Sequence, residues 1–129
     1  MYTIPVILAA GSSDCEANSN GMLIQPVSAF SSLVFSIAGL VLLSWAGSVE
    51  GHERLIRILF GSAMVATGIG SFLFHGYDSA VAQFLHDITF LSTVWLLAVV
   101  NIAEVRSWQR PVEWGIVMAG ITAFSVAIL

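Results

Sequence analysis

Apolar residues run through this chain in long stretches, separated by short polar ones. A helix that crosses a bilayer needs about 20 largely apolar residues. Four stretches meet that length: about Pro26–Gly47, about Leu55–His75, about Ser79–Ala103, and from about Pro111 to Leu129. Pro26 suits an early helix position. The links between the stretches are short, so neighbouring helices are expected to be antiparallel. The predicted fold is an all-α membrane protein, a single domain over 1–129 with about four transmembrane helices. The fourth stretch reaches Leu129 with no polar flank after it, as in a chain cut short or one that ends flush with an interface. The amino-terminal run MYTIPVILAAGSS is apolar, but no Lys or Arg precedes it. It makes a poor signal peptide and reads as a short interfacial or re-entrant segment.

Composition points the same way. Of 129 residues, 57% are hydrophobic and 9% charged, against about 25% charged in soluble domains. So few charges cannot cover a water-facing globule. There is no lysine, and the net charge of −4 leaves no basic face for a nucleic-acid partner. The single cysteine, Cys15, cannot form an internal disulfide. The four arginines set an expected orientation. Arg54 and Arg57 follow the first span, Arg106 and Arg110 follow the third, and alternating spans place all four on one side. That side is expected to be cytoplasmic, with the amino terminus outside or lumenal. Trp45, Trp108 and Trp114 fall at the same level, as an interfacial belt does.

One stretch breaks the apolar pattern. GIGSFLFHGYDSAVAQFLHDITFL, residues 68–91, places Ser71, His75, Gln83, His86 and Asp87 in the second and third spans. Ser71 and His75 are four apart and share a helix face. A hairpin turning near residues 76–79 puts Ser71 at the depth of His86 and Asp87, and His75 near Gln83. Ser62, Ala66 and Gly70 form a small-residue stripe that suits a close neighbour. An ionisable group inside a membrane is by default a functional hypothesis. A histidine beside a carboxylate and a hydroxyl suits a metal that activates water, with the carboxylate as proton acceptor. The plainer readings are an interfacial His75, a His86 that bonds across helices, and a Ser71 that bonds its own helix. His52 and Asp78 read as exposed, and Asn101 and Glu104 as reaching headgroups.

Before the first span, Asp14, Glu16, Asn18 and Asn20 offer oxygen donors at alternate positions. Calcium takes such ligands; an ordinary polar loop presents the same groups. Ser28, Ser31, Ser32 and Ser36 give the first helix a hydroxyl face, read as packing against the second helix.

Together these stretches resemble the alkaline ceramidase family, within the superfamily of seven-helix membrane hydrolases that includes the adiponectin-receptor type. Asp14-Cys15-Glu16 with Asn18 is similar to its Cys-Glu motif. Gln25-Pro26-Val27-Ser28 through Ser31-Ser32 is similar to its Gln-Pro-Val-Asn-Thr-x-Ser-Asn helix start. Gly68-x-Gly70-Ser71-x-x-Phe74-His75, followed by Gln83 and His86-Asp87, resembles its Gly-x-Gly-Ser-x-x-Phe-His motif and downstream acidic residue. The resemblance covers roughly residues 14–91. It implies a zinc ion with His75 as one ligand, supported by Ser71 and by Asp87 or, by position, His86. It also implies a calcium site that would involve Asp14, Glu16 and Asn18. The family's other two zinc histidines form an His-x-x-x-His pair on the last helix, whereas His52, His75 and His86 are the only histidines here. Serines stand where the first helix is expected to carry asparagines, and Gln25 where ceramidases place a calcium-binding carboxylate.

The expectation is therefore the amino-terminal part of a zinc-dependent hydrolase of a lipid amide such as ceramide, inactive as these 129 residues alone. The alternative is a non-enzymatic helical module that binds lipid or a partner span. A serine hydrolase built on Ser71 and His75 is disfavoured, because residues four apart on one helix do not give the serine an exposed elbow.

Overall fold

The computed structural model describes residues 16–77 and 79–105, with the single positions Gly115, Ala119, Gly120 and Ala123. The amino-terminal run, Asp14, Cys15, Asp78, Arg106, Arg110, Trp108, Trp114 and the expected fourth span as an element lie outside the described residues. Three long helices account for most of the rest. Helix α1 spans Pro26–Trp45 and runs into a 3-10 turn, Ala46–Ser48. Helix α2 spans Gly51–Tyr77 and helix α3 spans Ala80–Val105. No strand occurs among the described residues.

Lengths of 20, 27 and 26 residues correspond to about 30, 40 and 39 Å of helix, enough to cross a hydrocarbon core of about 30 Å. Three helices are thus long and apolar enough to span a membrane. Their burial pattern is that of a protein in lipid. Val27, Val34 and Ile37 are 72%, 64% and 60% exposed, as are many other large apolar side chains. The buried set is mostly small or polar: Ala29, Ala46, Ala82, Ala103, Gln25, Ser32, Thr67 and Ser71, with Leu96 and Val99 the larger apolar exceptions. In water such a surface would associate or aggregate. In a bilayer it is matched to its solvent, and helices associate through close packing and interhelical hydrogen bonds. This argues for an integral membrane protein.

Short links make α1/α2 and α2/α3 antiparallel, and α2 packs between the other two; among the described residues α1 and α3 do not pack on each other. Two glycines of the Gly68-x-Gly70-Ser71 run explain this sandwich. Successive helical residues are about 100° apart, so Gly68 and Gly70 look in different directions. A Cβ on Gly68 would sit 2.6 Å from the Ser36 nitrogen of α1, and one on Gly70 would sit 2.9 Å from Thr89 Oγ1 of α3. Both contacts are too short for any side chain to be accommodated without movement. Hydroxyls then join the surfaces. Ser36 Oγ donates to the Val65 carbonyl (3.1 Å) across α1/α2, and Thr67 Oγ1 lies 2.8 Å from Thr93 Oγ1 across α2/α3.

Some expectations shift. Ser62 and Ala66 are exposed, so the stripe read at Ser62, Ala66 and Gly70 is not one packing face. The close approach to α1 instead uses Gly61 and Gly68, with Gly39 opposite Gly61. Those two glycines are seven apart, two helical turns. Of the four serines on α1, Ser32 and Ser36 reach α2, whereas exposed Ser31 bonds back to the Ser28 carbonyl. Helix α2 also begins four residues earlier than expected. His52 is therefore exposed on its first turn rather than in a loop, with Nε2 3.7 Å from the Glu104 carboxylate. Arg57, on the next turn, donates to the Trp45 carbonyl at the end of α1 (3.0 Å) and pairs with Glu53. A cation at a helix carboxyl end satisfies an orphan carbonyl and complements the helix dipole.

Candidate functional site

The polar residues gather at the bundle end opposite Arg57, and the segment before α1 organises them. Gln25 precedes Pro26, which biases it to extended backbone, and its φ and ψ are −126° and 80°. In that conformation its N–H donates to the His75 carbonyl (2.9 Å), and the Ile24 N–H donates to the Gly76 carbonyl (3.0 Å). These carbonyls belong to the last turn of α2, where no intrahelical donor remains. The segment thus caps α2 at its carboxyl end. It caps α1 as well. The two carboxylate oxygens of Glu16 accept from the backbone N–H groups of Val27 (2.9 Å) and Ser28 (2.7 Å). The Ser28 hydroxyl, foremost, then those two amides and the nearby His75 imidazole hold the Glu16 carboxyl below its ordinary range, against partial burial. A carboxylate at a helix amino end is the favourable charge there.

Gln25 is 3% exposed, and each of its polar atoms has a partner. Its carbonyl accepts from Ala29 N–H (2.9 Å). Its Nε2 donates to the Glu16 carbonyl (3.3 Å) and to Asn18 Oδ1 (3.2 Å), and its Oε1 lies 2.7 Å from His75 Nδ1.

His75 meets α3 through His86. Long side chains lean toward the amino end of their own helix. On antiparallel helices, His75 therefore leans down from the end of α2 and His86 leans up along α3. Their ring centroids are 6.1 Å apart and nearly perpendicular, at 77°. His86 also stacks with Phe74 (5.0 Å) and with Phe90 (6.1 Å). Its Nδ1 lies 2.9 Å from Asp87 Oδ1.

Asp87 itself sits elsewhere. Adjacent residues are about 100° apart on a helix, so His86 and Asp87 cannot both face α2. His86 takes the α2 side. Asp87 lies with Ala80, Gln83 and Phe84 on another face of α3, lining an open cavity of about 240 Å³. Its tie to His75 is by way of His86.

Ser71 is buried, at 8% exposure, and turns toward α1. Its Oγ is 2.8 Å from Ser32 Oγ, and Ser32 Oγ donates to the Ser28 carbonyl (2.7 Å). A hydroxyl has one proton. With that of Ser32 on Ser28, Ser71 must be the donor in the pair. Its lone pairs can still accept a hydrogen bond, for example from a water.

The arrangement can be tested for the implied ions. Each imidazole has an acceptor oxygen at Nδ1, an amide for His75 and a carboxylate for His86, which places the lone pair on Nε2. That backing is typical of metal-ligating histidines. Two imidazoles on one tetrahedral zinc hold their centroids roughly 5 Å apart, about 1 Å closer than these. His75 and His86 thus come within about 1 Å of the ring spacing that a shared ion requires, each with its Nδ1 backed by an oxygen. Among the described residues no group of three or more His, Cys, Asp or Glu converges to hold a metal, so other donors would have to come from outside them. Calcium fits less well. Glu16 is spent on the α1 amides and Asn18 Oδ1 on Gln25, and Asp14 lies outside the described residues.

Sequence reasoning places Ser71, His75 and His86 at this end of the bundle but gives Gln25 no role there beyond the motif. The signal is present in the chain: a polar side chain directly before a helix-opening proline, at the mouth of an apolar span. No family model, curated protein or solved structure matches the chain.

Proposed function

We propose that this chain forms part of a membrane-embedded, zinc-dependent hydrolase of a lipid amide, ceramidase-like, with His75, His86, Asp87 and Ser71 as its contribution to the reaction centre. One observation carries the reading. Two imidazoles on neighbouring spans lie 6.1 Å apart, and each has Nδ1 against an oxygen, Gln25 Oε1 at 2.7 Å and Asp87 Oδ1 at 2.9 Å. Ionisable groups cost free energy inside a bilayer, and such pairing marks functional sites there.

Bound zinc would supply a Lewis acid that polarises an amide carbonyl and acidifies water. His75 would hold it through Nε2, with His86 as the adjacent donor. Asp87 would orient His86 through one carboxylate oxygen and take up the proton released by the attacking water at the carboxylate face open to the cavity. Ser71, donating to Ser32, would orient that water as an acceptor. The apolar flanks of α2 and α3 would let a ceramide-like substrate enter sideways from the hydrocarbon. The arginine bias would put the site at the outer or lumenal end.

The test uses protein expressed from its complete coding sequence, purified in detergent and incubated with a ceramide-like amide. Release of free fatty acid, lost in His75→Ala, supports the proposal; protein that binds no zinc when zinc is supplied and still releases no fatty acid overturns it. A second reading is a non-enzymatic helical module, favoured by the way Ser71 and Thr67 spend their hydroxyls between helices. A complete coding sequence without an His-x-x-x-His pair on another apolar helix would favour that module.

A further inference from the structure

Gln25 lies at the crossing of three tasks, and its side-chain orientation determines a property of His75. The Glu16 main-chain carbonyl, 3.3 Å from Gln25 Nε2, can only accept a hydrogen bond. The Gln25 amide must therefore turn its NH₂ toward residues 16–18, where Asn18 Oδ1 receives a second hydrogen bond at 3.2 Å. Its Oε1 is then left facing His75 Nδ1 at 2.7 Å. An amide oxygen cannot donate, so the proton in that bond belongs to Nδ1.

We infer that Gln25 is a positioning residue that holds neutral His75 as its Nδ1–H tautomer and so leaves the ring's lone pair on Nε2. The orientation is relayed from the main chain of Glu16 through a side chain that is 3% exposed. Two backbone bonds, Gln25 N–H to the His75 carbonyl and Ile24 N–H to the Gly76 carbonyl, pin the Gln25 segment to the end of α2 that carries the imidazole. A flip of the Gln25 amide would set two acceptors, Oε1 and the Glu16 carbonyl, against each other in a buried place, which is costly. The segment before α1 thus does more than cap helices: it sets which ring nitrogen of His75 can act as a base or ligand. The inference rests on hydrogen bonds within this chain and holds whether or not His75 binds zinc.

The test is nitrogen NMR of histidine-labelled protein in detergent micelles, treated with chelator and kept at a pH where imidazoles are neutral. Three histidines are present, so His75→Ala assigns the signals. The wild type is expected to show His75 protonated at Nδ1. Gln25→Leu is expected to move it to the Nε2–H form, which isolated imidazole side chains favour. Gln25→Glu keeps an acceptor and is expected to retain Nδ1–H. A wild-type His75 protonated at Nε2 overturns the inference even if the leucine variant fails to fold. So does a folded Gln25→Leu protein with an unchanged tautomer. Either outcome leaves the amidase proposal to its own zinc and hydrolysis test.

Discussion

Ser32 and Ser71 meet across α1 and α2 with their hydroxyl oxygens 2.8 Å apart, and both are buried. The pair belongs to the packing and to the candidate site at once. Interhelical hydrogen bonds of this kind are worth about 0.6 kcal/mol on average in membrane proteins. A double-mutant cycle of Ser32→Ala and Ser71→Ala, read by unfolding in mixed micelles, should return a coupling of about that size. No coupling would mean that the hydroxyls do not bond in the folded protein.

Gly68 faces the backbone of α1. Gly68→Ala would place its Cβ 2.6 Å from the Ser36 nitrogen. Backbone cannot rotate out of the way, so α1 must move, and overpacking of this sort costs about 1–3 kcal/mol. A Cβ on Gly47 would meet nothing within 4 Å, so Gly47→Ala should leave stability nearly unchanged. Equal unfolding midpoints for the two variants would contradict the packing described for α1 and α2.

Glu16 gives a pH dependence with a definite sign. Its folded carboxyl lies below its ordinary range, chiefly because of the Ser28 hydroxyl and the amides of Ser28 and Val27. The unfolded chain therefore binds more protons in the window between the folded and ordinary values, and stability rises with pH across it. The contribution is full above the ordinary carboxylate range and is lost as pH falls through the lowered folded value. Hydrogen exchange at the Val27 and Ser28 amides, corrected for intrinsic rates, should speed up on acidification through that window. Glu16→Gln should remove the change; an unaltered acid response in that variant would sink the assignment.

Asp87 bonds His86 rather than facing His75. If Asp87 acts as proton acceptor in amide hydrolysis, Asp87→Asn should lower kcat by about 10²–10⁴-fold with little change in KM. Full activity in that variant would exclude the role.

Much of this was legible in the residues. The three described spans follow from apolar length alone, and the short hairpin brings polar groups of α2 and α3 to one end. The contact there is His75 with His86, while Ser71, expected at the level of His86 and Asp87, bonds Ser32 of α1. Three features were not legible. Which of His86 and Asp87 faces α2 depends on helix rotation, and a single 100° step separates the choices. The stripe at Ser62, Ala66 and Gly70 had the right spacing, but Gly61 and Gly68, seven apart, face α1 more closely. Small residues on several faces of one helix leave its rotation undetermined until the neighbours are placed. The capping by Glu16 spans eleven residues to Val27, beyond the reach of local capping patterns.

Zinc content per chain tests the account most directly. In protein purified from its complete coding sequence, the account predicts bound zinc in the wild type and its loss in His75→Ala with the helical content unchanged. Equal zinc in the two proteins, or a wild type that hydrolyses a lipid amide without zinc, would contradict it.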